Sequence, residues 1–244
     1  MRHVRIYAAF DPTAGDALLA GPPAHHLLRV LRFRAGDGFW LFNGDGYDYP
    51  LRITAVERDR LHVVLGGERR AVAPPHRYVE LAPVLLKGER LDWVIQKAVE
   101  LGAGAIALLS SERCEVRFDA ARAARRLAHW RGVVNAACEQ CGRADLPAVR
   151  PPVPLTDYLG APPGSVRRIA LVPGSTAPLA AVAGSGPVAL IVGPEGGWTA
   201  AERALFERSG AVPAGLGPRP LRADTASLAS LAIVMAALPA AEKT

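Results

Sequence analysis

The sequence predicts an α/β protein in which a small, strand-rich module precedes a domain built on a mostly parallel sheet. Strand-like segments joined by polar turns fill residues 1–70. From Tyr78 onward, short apolar strands alternate with helical repeats. Such alternation implies a mostly parallel sheet with helices on both faces. We therefore expect one module over residues 1–70 and one domain over residues 71–244.

The strand-rich module is predicted from period-two segments and their turns. The run Asn43-Gly44-Asp45-Gly46 joins two strand-like segments and tolerates positive φ, which is typical of a hairpin. Residues 25–32 have helical spacing instead. Strands are expected over residues 4–10, 39–42, 47–56 and 61–65. Together these elements predict a small barrel-like module, followed by a linker over residues 69–77.

The second part alternates strands and helices. In the first helix, Leu91, Val94, Ile95 and Ala98 recur at helical spacing. Thr199 followed by Glu202 is a capping box that opens a later helix. Strands are expected over residues 79–85, 106–109, 168–172 and 188–192, and helices over 89–101, 120–138 and 221–238. The proline- and glycine-rich residues 147–163 are expected to form a surface connection.

Composition narrows the class of protein. The chain has a net charge of +6, and all but three of its 29 basic residues are arginines. Such a balance favours polyanionic partners, of which nucleic acid is the commonest. No apolar run is long enough to span a bilayer, and the N-terminus lacks a secretory signal, so we expect a cytoplasmic protein. Cys138 and Cys141 lack a second ligand pair, so no metal site is predicted.

The strongest local motif is the run LIVGPEGGWT at residues 190–199. A buried strand runs directly into a glycine turn, and a capped helix follows. Gly193, Gly196 and Gly197 let the backbone approach a ligand closely because they have no Cβ, and exposed N–H groups there can bind a carboxylate or an adenosine. An ordinary strand-to-helix turn explains the glycines equally well. The spacing fits neither a dinucleotide fingerprint nor a P-loop.

A second motif is the run LGPRPLRADTA at residues 216–226, which leads into the last helix. Two prolines hold the loop extended. Asp224 in the first helical turn is ordinary, but Arg219 and Arg222 beside a helix N-terminus are not, because that end repels cations. The misfit points to an anionic ligand.

Other arginines are candidates for RNA contact. Arg113 follows a strand, where α/β enzymes place ligand contacts, and Gln140 and Arg143 follow a helix. Arg29 and Arg32 are spaced three apart, which would place both on one helix face and near RNA phosphates. Solvated surface arginines are the alternative explanation throughout.

Taken in order, these segments resemble a known family. HHLLRVLR with a following Gly-Asp, then ERC, EQCGR, VGPEGGWT and LGPRPLRADTA, are similar to the bacterial ribosomal RNA small-subunit methyltransferase E family of the SPOUT class. The resemblance spans about residues 7–238. It implies a PUA-like, RNA-binding barrel over residues 1–70 and a trefoil-knotted SPOUT methyltransferase domain over residues 71–244. It also implies a homodimer, S-adenosylmethionine as cofactor, and methylation of N3 of a uridine in 16S ribosomal RNA or the small ribosomal subunit.

Carried over residue by residue, the resemblance implies a cofactor site in three loops. The residues are Val172, Pro173, Gly174, Val192, Gly193, Glu195, Gly196, Gly197, Leu216, Gly217 and Leu221. The chain departs from the family at Cys114 and Cys141, where serine is usual. Asp224 replaces the usual glutamate, and Pro220 replaces a branched aliphatic residue. Asp224 puts a direct role of that carboxylate in doubt, and Pro220 stiffens the cofactor loop.

The expected chemistry is deprotonation and methylation of a uridine. Arg222 is the first candidate to stabilise the uridine anion, and Glu195 or Asp224 is the candidate proton acceptor. Arg113, Gln140, Arg143 and Arg219 are candidate RNA contacts, together with Arg29 and Arg32. Two alternatives stay open at this point: an RNA-binding ribosome-assembly factor without methyl transfer, which Pro220 and Asp224 favour, and a SPOUT enzyme acting on transfer RNA.

Overall fold

The structure is a computed structural model, which describes residues 4–237. By their contacts these residues divide into two units, one formed by 4–74 with 135–146 and the other by 75–134 with 147–237. Leu238, the predicted end of the last helix, lies outside the described residues.

The first unit is built on a six-stranded sheet. Its elements are β1 (Arg5–Tyr7), a 3₁₀ turn (Pro12–Ala14), β2 (Asp16–Leu19), α1 (Pro22–His25), a π-helical turn (His26–Val30), β3 (Gly38–Phe42), β4 (Tyr47–Glu57), β5 (Arg60–Leu65) and β6 (Arg70–Ala71). The order is β1-β3-β4-β5-β2, and β6 pairs with β4. The predicted hairpin is confirmed, because β3 and β4 pair antiparallel around Gly44 and Gly46, both with positive φ.

One detail of the predicted helix in this unit is wrong. The π-helical turn ends at Val30, and Arg32 lies beyond it with a φ of +58°. The chain turns there because the Phe33 N–H donates to the Leu27 carbonyl, and both side chains are buried in the core. Arg29 and Arg32 therefore do not share a helix face.

Residues 135–146 belong to the first unit through a buried charge cluster. Asp48 is fully buried and accepts hydrogen bonds from Arg5 at 2.7 Å and from Arg70 at 2.6 Å. Arg5 also donates to the carbonyls of Cys138 and Arg143. These bonds satisfy a buried carboxylate, which would otherwise be costly to remove from water, and they hold the end of a long helix against β1.

The second unit is built on a fully parallel six-stranded sheet. Its elements are β7 (Val79–Pro83), α2 (Arg90–Glu100), β8 (Ala105–Ser110), α3 (Ala120–Cys141, whose last turns belong to the first unit), β9 (Ala148–Pro154), α4 (Leu155–Gly160), β10 (Arg167–Leu171), α5 (Leu179–Val182), β11 (Val188–Val192), α6 (Ala200–Ser209), β12 (Val212–Ala214) and α7 (Ala223–Ala236). The order is β12-β10-β11-β7-β8-β9, and every pair is parallel.

Burial explains why the central strands could be predicted from the sequence. Every residue of β7 and β11 is buried, as expected for strands covered on both faces. On α2, Leu91, Val94 and Ile95 form the buried face. The predicted capping box of α6 is confirmed: Thr199 Oγ1 accepts from the Glu202 N–H, and Glu202 Oε2 accepts from the Thr199 N–H.

Residues 147–163 were wrongly predicted to be a surface connection. They contain β9 and α4. The prolines of β9 are tolerated because β9 is an edge strand that pairs only with β8, and an edge strand has one side on which a missing N–H costs nothing.

Candidate active site

A cleft lies at the carboxyl ends of three neighbouring strands in the second unit. β10 ends at Leu171, β11 at Val192 and β12 at Ala214, and β11 is inserted between β10 and β7. The loops that follow these strands, with the first turn of α7, line the cleft. In open parallel sheets this edge is where ligands bind.

The loop after β11 is fixed by a tryptophan. The Trp198 side chain is buried and its indole N–H donates to the Leu171 carbonyl at 2.9 Å, which ties this loop to β10. A Cβ atom on Gly193 would lie 2.8 Å from Trp198 Cε2, so only glycine fits there without a shift. Gly193 is therefore required for packing, and it also keeps the cleft wall free of a side chain.

The loops after β10 and β12 are tied to each other. The Gly215 N–H donates to the Ala177 carbonyl at 2.9 Å, and the Leu179 N–H donates to the Gly215 carbonyl at 3.1 Å. A Cβ on Gly215 would clash with the carbonyl oxygen of Ser175. Backbone thus passes against backbone, and the two loops form one continuous wall.

Nine of the eleven residues predicted to bind the cofactor line this cleft. They are Val172, Pro173, Val192, Gly193, Glu195, Gly197, Leu216, Gly217 and Leu221. Gly174 and Gly196 belong to the same loops but are not among its lining residues. The Gly196 carbonyl instead accepts a hydrogen bond from Arg113 at 2.7 Å.

The three candidate catalytic residues have different settings. Glu195 lines the cleft, is about half exposed and pairs with Arg90 Nη1 at 2.6 Å. Arg222 is exposed and is the N-cap residue of α7, between Leu221 and Ala223, which both line the cleft. Asp224 does not line the cleft; its Oδ1 accepts from the Thr225 N–H at 2.7 Å.

The predicted RNA contacts are spread over both units. In the second unit, Arg219 is exposed and lines the cleft, and Arg113 is exposed and holds the Gly196 loop. In the first unit, Arg29, Arg32 and Gln140 are exposed.

Arg143 also belongs to the first unit, but it is buried. Its guanidinium pairs with Asp145 through Nη2 at 2.5 Å and Nε at 3.1 Å. The geometry therefore gives Arg143 a structural role.

Sequence reasoning missed several residues at the cleft. Leu171 and Trp198 line it, and Arg90 orients Glu195. Pro220, which the sequence analysis placed in the cofactor loop, is exposed and lines the cleft. Arg90 follows β7 at the same edge of the sheet, so the rule that ligands bind at carboxyl ends of parallel strands could have found it.

Among residues 4–237, no cluster of three or more His, Cys, Asp or Glu could hold a metal ion. Burial raises the pKa of the Cys138 thiol to about 12, so this thiol stays protonated at neutral pH. Within the same residues, no helix has the length and apolar character needed to cross a membrane.

The cleft has the features that an adenosyl ligand requires. Leu171, Val172 and Leu216 provide apolar walls for a planar base. Gly193, Gly197 and Gly217 expose backbone atoms at its edge without a Cβ in front of them. Mostly apolar walls with a few polar groups that fix orientation are typical of small-molecule sites.

Comparison with known proteins defines the class. Residues 74–235 match the family model of the RNA methyltransferase domain, and residues 19–66 match that of the RNA methyltransferase PUA domain. The chain is thus an α/β protein with a SPOUT-type domain and a PUA-like module, as predicted. Among solved structures, it is 33% identical to a Legionella pneumophila protein in complex with bound SAM, at a TM-score of 0.88 over 97% of this chain and 98% of that one.

The particular family follows from two further relatives. A ribosomal RNA small subunit methyltransferase E from Neisseria gonorrhoeae, solved bound to S-adenosyl methionine, is 33% identical at a TM-score of 0.86 over 95% of this chain and 96% of that one. The Mycobacterium bovis protein of the same name is 33% identical over 91% of this chain and 87% of its own length. The chain belongs to the ribosomal RNA small subunit methyltransferase E family.

Proposed function

We propose that this protein transfers the methyl group of S-adenosylmethionine to N3 of a uridine in 16S ribosomal RNA. The observation that carries the proposal is the cleft at the carboxyl ends of β10, β11 and β12, in which three separate loops converge. The names of its relatives and the SAM-bound structures of two similar proteins support the same activity.

The residues of the three loops would hold the cofactor. Leu171, Val172 and Leu216 would enclose the adenine, and the backbone atoms of Gly193 and Gly217 would meet its polar edge. When bound, S-adenosylmethionine supplies an electrophilic methyl group on a cationic sulfur. The tie between Trp198 and Leu171 keeps these walls in place without the ligand, and such preorganisation lowers the cost of binding.

Deprotonation of the uridine depends on charged groups of the chain. N3 of uridine carries a proton at neutral pH. Until that proton is removed, N3 is a poor nucleophile toward the methyl group. Glu195 is the acceptor we favour, because it lines the cleft and its ion pair with Arg90 fixes its position. Arg222 would stabilise the negative charge that develops on the base, since its exposed guanidinium has no carboxylate partner among residues 4–237. Asp224 is the less favoured acceptor, because it does not line the cleft and its Oδ1 already accepts a hydrogen bond from the Thr225 N–H.

The remaining parts of the proposal concern partners. Residues 1–70 would act as the RNA-binding PUA-like module and residues 71–244 as the methyltransferase domain. Arg29, Arg32, Arg113, Gln140 and Arg219 would contact RNA phosphates or base edges, with 16S ribosomal RNA or the small ribosomal subunit as substrate. The enzyme would work in the bacterial cytoplasm as a homodimer.

The test of the function is direct identification of the product. Purified protein is incubated with S-adenosylmethionine and either naked 16S ribosomal RNA or small subunits that lack the modification, and the nucleosides are analysed by mass spectrometry. We expect 3-methyluridine and calorimetric binding of S-adenosylmethionine. Binding of RNA with no cofactor heat and no new nucleoside would instead show a binding protein, and a different methylated nucleoside would refute the uridine assignment.

The mechanism is tested at Arg222. Arg222→Ala should lower kcat by about 10²–10³-fold, the usual effect of removing one group that stabilises a developing anion, while calorimetry shows unchanged S-adenosylmethionine affinity. Arg208→Ala is the matched control, since Arg208 is also exposed but lies at the end of α6 and does not line the cleft. Turnover like that of the unmodified protein would remove Arg222 from the mechanism.

A further inference from the structure

A second groove lies in the same unit, between the loops that follow β7 and β8 and the first half of α3. We name it the α3 groove. It is lined by residues that include Lys87, Arg117, Phe118, Arg122, Arg126 and Trp130. As at the cleft described above, its walls include loops that follow the carboxyl ends of parallel strands, here β7 and β8. It contains none of the residues that the sequence motifs marked for cofactor or RNA.

Two of its four cations are satisfied within the protein. Asp92 accepts from Arg126 at 3.1 Å, from His129 at 2.7 Å and from the Trp130 indole at 3.0 Å. Lys87 pairs with Glu115. These bonds fix the walls of the groove, and they neutralise most of the acidic groups that would repel an anion. Glu89 is the remaining carboxylate that lines it.

Arg117 and Arg122 are different. Both line the groove and both are exposed. Neither has a carboxylate within ion-pair distance anywhere in residues 4–237. The Arg122 guanidinium lies 5.3 Å from the centre of the Phe118 ring, which positions it without using its N–H donors. Two free guanidinium groups beside an aromatic ring suit phosphate, because each can donate two parallel hydrogen bonds.

The groove is adjacent to the cofactor cleft. Arg90 stands between Glu89 and Leu91, which line the groove, and it donates to Glu195, which lines the cleft. An RNA strand whose target base enters the cleft therefore has a cationic surface beside it for the neighbouring phosphates. We infer that the α3 groove binds the RNA backbone next to the target uridine, through Arg117 and Arg122. The inference rests on the proposed function for the identity of the ligand.

The test compares two double variants that lose the same charge. Arg117→Ala/Arg122→Ala removes the two free cations of the groove. Arg125→Ala/Arg131→Ala removes two exposed arginines of the same helix that do not line the groove. Binding of a 16S ribosomal RNA fragment containing the target uridine is measured as a function of salt, with calorimetric S-adenosylmethionine affinity as the check on folding.

We expect the groove variant to bind the fragment on the order of tenfold more weakly, and its slope of log K against log salt to fall by about 1.4, as for two lost phosphate contacts on a single strand. KM for RNA should rise with little change in kcat. The control variant should change the slope by clearly less, and Arg117→Lys/Arg122→Lys should restore it. Equal slopes for the two alanine variants, each with normal cofactor affinity, would overturn the inference.

The outcomes separate this inference from the proposed function. RNA binding is measured without turnover, so a protein that makes no 3-methyluridine still reports on the groove. If methylation proceeds normally and the groove variant behaves like the control, only the groove assignment fails.

Discussion

At the scale of single residues, the cleft depends on one steric fit. Gly193 packs so closely on Trp198 that an added Cβ would lie 2.8 Å from Trp198 Cε2. Trp198 is held in place because it is buried, donates a hydrogen bond to the Leu171 carbonyl and packs edge-on against Phe206, with the ring centroids 5.0 Å apart. Overpacking of this kind typically costs about 1–3 kcal/mol. Part of that cost falls on the loop that would hold the cofactor.

Gly193→Ala is therefore expected to weaken S-adenosylmethionine binding by tenfold or more, which corresponds to about 1.4 kcal/mol, and calorimetry measures it. Gly132→Ala is the matched control: an alanine Cβ there meets nothing within 4 Å, on the exposed side of α3, and the change should be neutral or slightly stabilising. Normal cofactor affinity in Gly193→Ala would show that the loop yields at little cost.

At the scale of elements, α6 illustrates how a cap positions a site. The capping box joins Thr199 and Glu202, and the second carboxylate oxygen of Glu202 accepts from the Glu112 N–H at 2.9 Å. One buried carboxylate thus connects the start of α6 to the loop after β8. The glycine loop 193–197 ends at this cap, so loosening the cap also loosens the loop.

Thr199→Ala removes the hydroxyl that accepts the helical N–H and should cost about 1 kcal/mol, seen as a fall in Tm of about 2–4 °C. Circular dichroism during thermal unfolding measures it. Thr199→Ser keeps the hydroxyl and should stay close to the unmodified protein. If serine destabilised as much as alanine, packing of the threonine methyl rather than the cap would explain the loss.

The elements also show which parts of the fold sequence reasoning could reach. The central strand β11 was found because its five residues are all apolar and buried. β7 was found because its apolar run is interrupted only by Glu80, whose buried carboxylate accepts from Tyr158 and pairs with Arg150. The strands that were not predicted, β2, β6, β9 and β12, each pair with only one other strand. An edge strand needs hydrogen bonds on one side only, so it accepts the prolines of β9 and β12 that read as breaks in structure.

The site shows the same division. The cofactor loops at 172–174, 192–197 and 216–221 were predicted from the family resemblance, because their glycines alone fit an ordinary turn equally well. The clash at Gly215 shows why glycine is needed where backbone passes against backbone. Surface arginines carry no such signature. Arg117 and Arg122 resemble every other arginine in the sequence, and only the fold shows that they line a groove and have no carboxylate partner among residues 4–237.

At the scale of the whole molecule, the packed helices α2 and α7 leave apolar side chains in water. Trp93 on α2 is 48% exposed. Ile233 on α7 and Leu221, just before α7, are also exposed. Large aromatic residues are enriched at the centres of protein interfaces and contribute most of their binding energy. The proposed homodimer would cover these side chains, and it would place the interface next to the cleft, because Leu221 also lines the cleft.

Trp93→Glu should therefore convert a dimer into a monomer, since a buried, unpaired carboxylate at an interface is costly, and analytical ultracentrifugation at micromolar concentration measures the change. Leu18→Glu is the matched control, because Leu18 is 49% exposed but lies on β2 in the other unit. The control should remain dimeric. A Trp93→Glu protein that dimerises like the control would place the interface elsewhere, and a monomeric unmodified protein would refute the dimer itself.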